Sequence, residues 1–97
     1  MSFEWDPEKA SLNLAKHGIS FELARRVWDD PNHQIFDDWV VDGERRYYAV
    51  GLVGTMTVIV VVHRHPDEDD DAHIRIISAR RASASERRRY EQQTFQP

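Results

Sequence analysis

Residues 72–82, Ala72-His-Ile-Arg-Ile-Ile-Ser-Ala-Arg-Arg-Ala82, carry the pattern around which the rest of the chain is organised. Isoleucines alternate with His73 and Arg75, and this period of two predicts a strand whose successive side chains lie on opposite faces. The apolar alternation then stops, and Arg80 and Arg81 directly precede a helix start. Guanidinium groups beside the beginning of a helix are well suited to hold phosphate.

The remaining pattern predicts one strand, two helices, four strands and one helix. Asp6 before Pro7 is a typical helix start, and Gly18 supplies a left-handed C-terminal cap. After Pro31 the apolar period changes from 3.6 to 2, and a capping box at Ser83 opens the last helix. Helices are predicted over residues 7–17, 20–29 and 84–93, and strands over residues 3–5, 34–41, 45–52, 56–63 and the stretch quoted above.

This order, β-α-α-β-β-β-β-α, predicts an α+β fold in which an antiparallel sheet packs against helices. Residues 56–63 are apolar on both faces and should form a central strand. No repeat or linker divides the 97 residues, so we expect a single domain over residues 1–97. The first two helices form a helical hairpin, but the second has only Arg25 and Arg26 as cations, which disfavours a DNA-reading helix-turn-helix.

The amino-acid composition limits the classes of protein to which the chain can belong. The chain lacks cysteine, which excludes disulfides and thiolate metal sites, and neither a leader sequence nor a membrane-length apolar run is present. We therefore expect a soluble, cytoplasmic protein. The net charge of −4 is unevenly distributed: residues 1–72 hold 7 basic and 15 acidic side chains, whereas residues 73–97 hold 6 arginines and 2 glutamates. This asymmetry permits a local polyanion site, although a solvated basic helix has the same composition.

The chain resembles the BrnT toxins of bacterial type II toxin–antitoxin systems. The resemblance rests on Lys16-His-Gly-Ile-Ser-Phe-Glu22 together with Ile74-Arg-Ile-Ile-Ser-Ala-Arg80, and either piece alone would be weak. Shorter pieces support it, namely Phe3-Glu-Trp-Asp6, Asp30-Pro31, Gly43-Glu-Arg45, Val60-Val-Val-His63 and Glu86-Arg-Arg-Arg-Tyr-Glu91. The acidic run at residues 67–71 is longer than is typical of that family.

The resemblance implies a RelE-like fold and a metal-independent endoribonuclease that needs no cofactor. Such toxins cut RNA, inhibit translation and arrest growth. They are neutralised by a cognate antitoxin, which the resemblance implies is a BrnA-like ribbon–helix–helix protein in a hetero-oligomeric complex. The complex would repress its own operon, with operator DNA contacted only through the antitoxin.

Metal-free RNA cleavage requires a base for the 2′-hydroxyl proton, cations for the charge that develops on phosphate, and an acid for the leaving 5′-oxygen. Arg75 and Arg80 are the predicted phosphate clamp, because a guanidinium binds phosphate through two donors and stays charged. Strand periodicity puts residues 75 and 80 on opposite faces. If both reach one site, one of them must lie beyond the end of the strand.

His63 is the first candidate for proton transfer, because histidine titrates near neutrality, and His17 beside Lys16 is the second. Simpler roles are the alternatives: His63 as the end of a strand, His17 as a cation that stabilises a helix C-terminus, and Lys16 as a solvated surface residue. The predicted RNA-binding residues are Arg46, Tyr48, Arg64, Arg81 and Arg88. Trp39, on a strand that can form a sheet edge, is a candidate contact for the antitoxin, with a core or interface position as the alternative.

Two other classes of function remain open. His63, His65 and His73, together with the acidic run at residues 67–71, offer imidazole and carboxylate ligands for a metal, although no recognised loop spacing is present. A binding module that represses without catalysis would also use the arginine cluster. Activity on RNA in EDTA separates these classes from a metal-free nuclease.

Overall fold

The computed structural model describes residues 1–94, except for the side chains of residues 37, 38 and 94. The predicted domain therefore extends three residues beyond the described part. The elements are β1 (Ser2–Glu4), α1 (Pro7–His17), α2 (Phe21–Ala24), a 3-10 helix (Arg25–Asp29), β2 (Gln34–Val41), β3 (Glu44–Val53), β4 (Thr57–Arg64), β5 (His73–Arg81) and α3 (Ala84–Thr94). The predicted α+β class is confirmed, and the element order follows the predicted one with a 3-10 helix added.

Local sequence signals explain the helix boundaries. The Asp6 carboxylate accepts a hydrogen bond from the Glu8 N–H, Pro7 occupies the first helical position, and Gly18 ends α1 with φ 70°. The Ser20 hydroxyl caps α2 by accepting from the Leu23 N–H at 3.0 Å. These are the caps that the sequence predicts.

The second helix differs from the prediction of one α-helix over residues 20–29. It changes after Ala24 into the tighter 3-10 form, which continues to Asp29. This segment packs closely on β3: a Cβ built on Gly51 would lie 2.9 Å from Val27 Cγ1 and 3.0 Å from the Val27 carbonyl oxygen. Contact with the sheet therefore overrides local helix propensity here.

The five strands form one sheet in the order β1-β5-β4-β3-β2, with β4 in the centre as predicted. The strands from β2 to β5 pair antiparallel, but β1 runs parallel to β5, with Ser2 opposite His73 and Glu4 opposite Arg75. The sheet is therefore mixed, and the prediction of an antiparallel sheet is wrong at this edge. The helices carry the chain from β1 at one edge of the sheet to β2 at the other, and the antiparallel run from β2 to β5 then returns to lie beside β1.

The two faces of the sheet are covered differently. One face, here called the helical face, packs against α1, α2 and the 3-10 helix through a core that includes Phe21, Ile59 and Ile76. Complete burial of such a side chain contributes about 1.5–3 kcal/mol. By the described residues, the opposite face, here called the open face, is covered at one end, where Tyr90 of α3 packs on Val50 and Val60.

Candidate active site on the open face of the sheet

A β-bulge in β5 determines which arginines share the open face. Val62 pairs with Ser78 and the next residue, His63, pairs with Ile76, so Ile77 is an extra residue in β5. The bulge shifts the alternation by one residue, and Arg75 and Arg80 consequently lie on the same face. Because β5 continues to Arg81, the prediction that one of the two lies beyond the strand end is wrong.

Three arginines from adjacent strands form a transverse row on the open face, here called the arginine row. Arg75 is the register partner of Arg64, and Arg46 lies one residue beyond the Tyr47–His63 pair, which places it opposite Arg64. Neighbouring strands in a sheet are about 4.8 Å apart, so the three arginine side chains extend from adjacent positions on the same face. Such a row is a local site of high positive potential on a protein of net negative charge.

Carboxylates hold two members of the row. Arg75 Nη1 donates to Glu4 Oε2 at 2.6 Å, and Arg64 Nε lies 3.7 Å from Glu44 Oε2. Arg46 is different, because its buried Nε has no acceptor among the described residues. A buried donor without a partner is costly.

Aromatic rings lie next to the arginine row. Trp39 is the register partner of Arg46, and its ring stacks on Tyr48 with centroids 4.6 Å apart and planes inclined by 29°. Tyr48, Val62 and Ser78 form the next transverse row. Flat aromatic surfaces beside guanidinium groups are what single-stranded RNA binds through base stacking and phosphate contacts.

Arg80 lies on the other side of this aromatic row. Its two terminal nitrogens donate to Glu86 of α3 at 2.7 and 2.9 Å. The Arg80 hydrogen bonds are the main reason that the pKa of Glu86 is lowered to about 2, assisted by donors from Ser83 and opposed by partial burial. The same hydrogen bonds raise the pKa of Arg80. Arg75 and Arg80 therefore lie on the same face but are separated by the Tyr48–Val62–Ser78 row, and their joint action as a phosphate clamp stays a prediction.

Helix α3 closes one end of the open face. The Tyr90 hydroxyl donates to Asp30 Oδ2 at 2.5 Å, and Asp30 also accepts from the Leu52 N–H. Arg89 lies over the Phe36 ring, 4.0 Å from its centroid. The helix therefore forms one wall of a trough whose floor is the sheet.

His63 does not belong to this arrangement. It is 1% exposed and lies on the helical face, where its ring centroid is 5.0 Å from Trp28 and 5.6 Å from Tyr47. Burial lowers the pKa of His63 to about 4. The structure does not bring His63 together with Arg75 and Arg80, and its placement is that of a core histidine.

Four further predicted site residues also lie apart from the arginine row. Lys16 and His17 form the last turn of α1, which packs on the helical face. Arg81 is exposed and lies near Arg87 and the β3–β4 turn, while Arg88 is exposed on α3. The structure therefore brings together five of the predicted residues, Arg46, Tyr48, Arg64, Arg75 and Arg80.

The structure adds two residues that the sequence argument did not place in the site. His73 Nε2 bonds Glu4 Oε1 at 2.5 Å, and His73 Nδ1 bonds the Ser2 hydroxyl at 2.7 Å. Glu4 thus bridges His73 and Arg75 on the open face. The alternation of His73 and Arg75 indicates that they share a face, but the parallel pairing that delivers Glu4 has no sequence signal.

The histidines do not converge on a metal site. His63 and His65 lie on the helical face, whereas the His73 side chain lies on the open face. Among the side chains that the structure describes, which leave out residues 37 and 38, no three His, Asp or Glu side chains are arranged to hold a metal ion. The acidic run is an exposed turn, in which Asp67 and Asp70 accept hydrogen bonds from backbone N–H groups two residues ahead. Such bonds are typical of a solvated Asx turn.

The fold and the open face define an α+β protein with a cationic, aromatic-lined site on a sheet. The chain belongs to the BrnT family: a family model described as the ribonuclease toxin, BrnT, of type II toxin–antitoxin systems matches residues 5–86. The Brucella abortus ribonuclease toxin BrnT has a similar crystal structure, with 27% identity and a TM-score of 0.64 over 86% of this chain and 97% of that chain. No curated protein matches the chain.

Within the described residues, no helix combines the length and the apolar composition needed to cross a membrane.

Proposed function

We propose that this chain is an endoribonuclease toxin of RelE-like fold, forming one domain, that cleaves RNA on its open face without a metal ion. The observation that carries the proposal is the placement of Arg46, Arg64 and Arg75 in one row on the open face, with Arg80 across the trough. Membership of a family of ribonuclease toxins supports it.

The reaction would begin with attack of a ribose 2′-hydroxyl on the adjacent phosphorus. Negative charge on the phosphate oxygens increases as the five-coordinate state forms, and preorganised guanidinium groups stabilise that charge more than they stabilise the ground state. The arginine row supplies positive charge that a metal ion provides in other nucleases. Trp39 and Tyr48 would hold the neighbouring bases by stacking.

The ion pairs of the site prepare it for phosphate. Glu86 holds Arg80 in place, and Glu4 holds Arg75, so neither side chain has to be ordered when RNA binds. Guanidinium groups have further donors that remain available while a carboxylate occupies two of them. The phosphate thus enters a site whose cations are already oriented.

RNA cleavage in EDTA by purified protein tests this function. We expect cleavage by the wild type and at least ~100-fold slower cleavage by Arg80→Ala, by analogy with the loss of one transition-state donor elsewhere. Arg26→Ala, an exposed arginine of the 3-10 helix, is the matched control and should cleave normally. In cells, Arg80→Ala should no longer arrest growth. Cleavage that needs an added metal ion, or a fully active and folded Arg80→Ala, would contradict the proposal.

We further infer that the antitoxin is a BrnA-like ribbon–helix–helix protein that covers the open face. The inference is supported by the open face's exposed cations and by β2, whose outer edge carries Trp39 and exposed Val40. The purified complex should leave RNA uncut and should bind operator DNA through the antitoxin. A complex that still cleaves RNA at the rate of the free toxin would exclude coverage of this face.

The consequences in the cell follow from loss of RNA. Cleavage of transcripts would inhibit translation and arrest growth in the cytoplasm until antitoxin is replenished. The toxin–antitoxin complex would repress its own operon, because the antitoxin supplies the DNA contacts.

A further inference from the structure

We propose that His73 is the base that takes the 2′-hydroxyl proton, with Glu4 as its positioning residue. This inference rests on the function proposed above, and it concerns a pair of residues on the β1–β5 edge of the open face.

The hydrogen bonds of His73 set its tautomer. The pKa of Glu4 is lowered by hydrogen bonds from His73 and Arg75, so the carboxyl group is ionised at neutral pH and can only accept. Nε2 of His73, 2.5 Å from Glu4 Oε1, must therefore carry a proton. In the neutral imidazole the lone pair is then on Nδ1, which is the nitrogen a base needs.

The same nitrogen already faces a hydroxyl group. The Ser2 hydroxyl lies 2.7 Å from His73 Nδ1, within the distance at which a base takes a proton from a bound alcohol. Ser2 is exposed, and the His73 side chain is 33% exposed, so a ribose 2′-hydroxyl can take the position of the serine hydroxyl. The serine marks where the reacting hydroxyl of the substrate would lie.

Glu4 joins the base to the phosphate site. Its second oxygen accepts from Arg75 Nη1 at 2.6 Å, and Arg75 belongs to the arginine row. One carboxylate therefore fixes the orientation of both the imidazole and the guanidinium group that would contact the phosphate. The distance between base and cation is set by rigid strand pairing, which is what a near-attack geometry requires.

Other groups on the open face are poorly suited to the role. Arginine remains protonated, and Glu86, with a pKa of about 2, is a weak base that Arg80 already holds. Of the five histidines in the chain, His73 is the one whose ring the structure places beside the arginine row. The remaining half-buried histidine of this region, His65, contacts the backbone carbonyl of His73 and packs on the helical face beside Tyr47 and His63.

The step balances without an added reagent. The 2′-hydroxyl proton moves to His73 Nδ1, an O2′–P bond forms, and the P–O5′ bond breaks with its electron pair going to O5′. A water molecule protonates O5′, and His73 returns its proton to solvent. The products are a 2′,3′-cyclic phosphate and a 5′-hydroxyl, and no atom is gained or lost overall.

The test is the kinetics of His73→Gln, which keeps a polar side chain at this position but cannot take a proton near neutrality. We expect kcat to fall by about 10²–10⁴-fold, the usual contribution of a general base, while KM stays within about twofold. In His73→Ala, added imidazole should restore part of the rate. His65→Ala is the matched control and should retain wild-type kcat once folding is verified by circular dichroism.

A substrate with an activated leaving group separates a base from an acid. Uridine 3′-(p-nitrophenyl phosphate) needs no protonation of its leaving group, so His73→Gln should remain as impaired on it as on RNA. Full recovery on this substrate would show that His73 is an acid and would overturn the assignment as base. Glu4→Gln, the test of positioning, should reduce kcat less than His73→Gln and should not respond to imidazole.

The outcomes distinguish the two proposals. A wild-type protein that does not cleave RNA in EDTA overturns both. If the wild type cleaves RNA, Arg80→Ala is inactive and His73→Gln keeps full kcat, only the role of His73 is overturned.

Discussion

Asn13 is a buried residue of α1 whose replacement should destabilise the whole fold. Its Nδ2 donates to the carbonyl oxygens of Ile19 and Ala79 at 3.0 and 2.9 Å, and its Oδ1 accepts from the Ala79 N–H at 3.1 Å. The amide thus pairs with both backbone groups of Ala79, where β5 extends beyond the short β1 and has no neighbouring strand. Asn13 thus pairs the backbone groups of Ala79 that a neighbouring strand would otherwise pair.

The magnitude follows from the three groups left behind. Asn13→Ala leaves one N–H and two carbonyl groups without partners in a region where the side chain is only 7% exposed. Each such group costs about 1–3 kcal/mol, and because the three are adjacent we expect a total loss near 3–5 kcal/mol rather than the full sum. A domain of this size has about 5–15 kcal/mol of stability, so the loss is severe.

Urea unfolding, followed by the fluorescence of Trp5 and Trp28, measures this loss. With m of about 1–3 kcal/mol/M, the midpoint should fall by roughly 1–5 M. Asn13→Asp should be at least as destabilising at neutral pH, because a carboxylate would face two carbonyl oxygens. Exposed Asn32→Ala is the matched control and should stay within about 0.5 kcal/mol of wild type. A loss below about 1 kcal/mol for Asn13→Ala would refute the reasoning.

Three further changes test other parts of the structure. Gly51→Ala should destabilise the fold by about 1–3 kcal/mol in urea unfolding, because the new Cβ meets the Val27 backbone; a neutral effect would contradict the packing. The pKa of His63 falls from 6.5 to about 4 on folding, so unfolded chains bind more protons than folded chains between these pH values. The free energy of unfolding should therefore drop by up to about 3 kcal/mol as the pH falls from 6.5 to 4. His63→Phe should flatten this pH dependence of the free energy of unfolding. In fluorescence anisotropy, Arg46→Ala should lower the slope of log Kd against log salt concentration for RNA binding by about 0.7. An unchanged slope would exclude a phosphate contact at Arg46.

Most of the fold could be predicted because its signals are local. The caps of α1, the change of period after Pro31 and the doubly apolar β4 each depend on neighbouring residues, and their boundaries agree with the structure to within one or two positions. The parallel pairing of β1 and the change from α2 to a 3-10 helix could not be predicted. Both depend on contacts between distant segments, such as Val27 with Gly51.

The candidate site was predictable in part for the same reason. Arginines on consecutive strands indicate a cationic surface, and five of the predicted residues share the open face. Strict alternation along β5 nevertheless predicts that Arg75 and Arg80 lie on opposite faces, which is wrong. The bulge at Ile77 puts them on the same face, and it has no clear sequence signal. His63 was the favoured base on chemistry alone, yet the face on which a residue lies depends on register, which places His73 beside Glu4 instead.

The central claim is that RNA binds the open face through the arginine row, and mapping the bound RNA by NMR tests it most directly. An oligonucleotide methylated at every 2′-oxygen cannot be cleaved and can be titrated into labelled protein. We predict amide and side-chain shifts at Arg46, Tyr48, Arg64, Arg75 and Ser78. Shifts confined to the helical face, with the arginine row unaffected, would contradict the account.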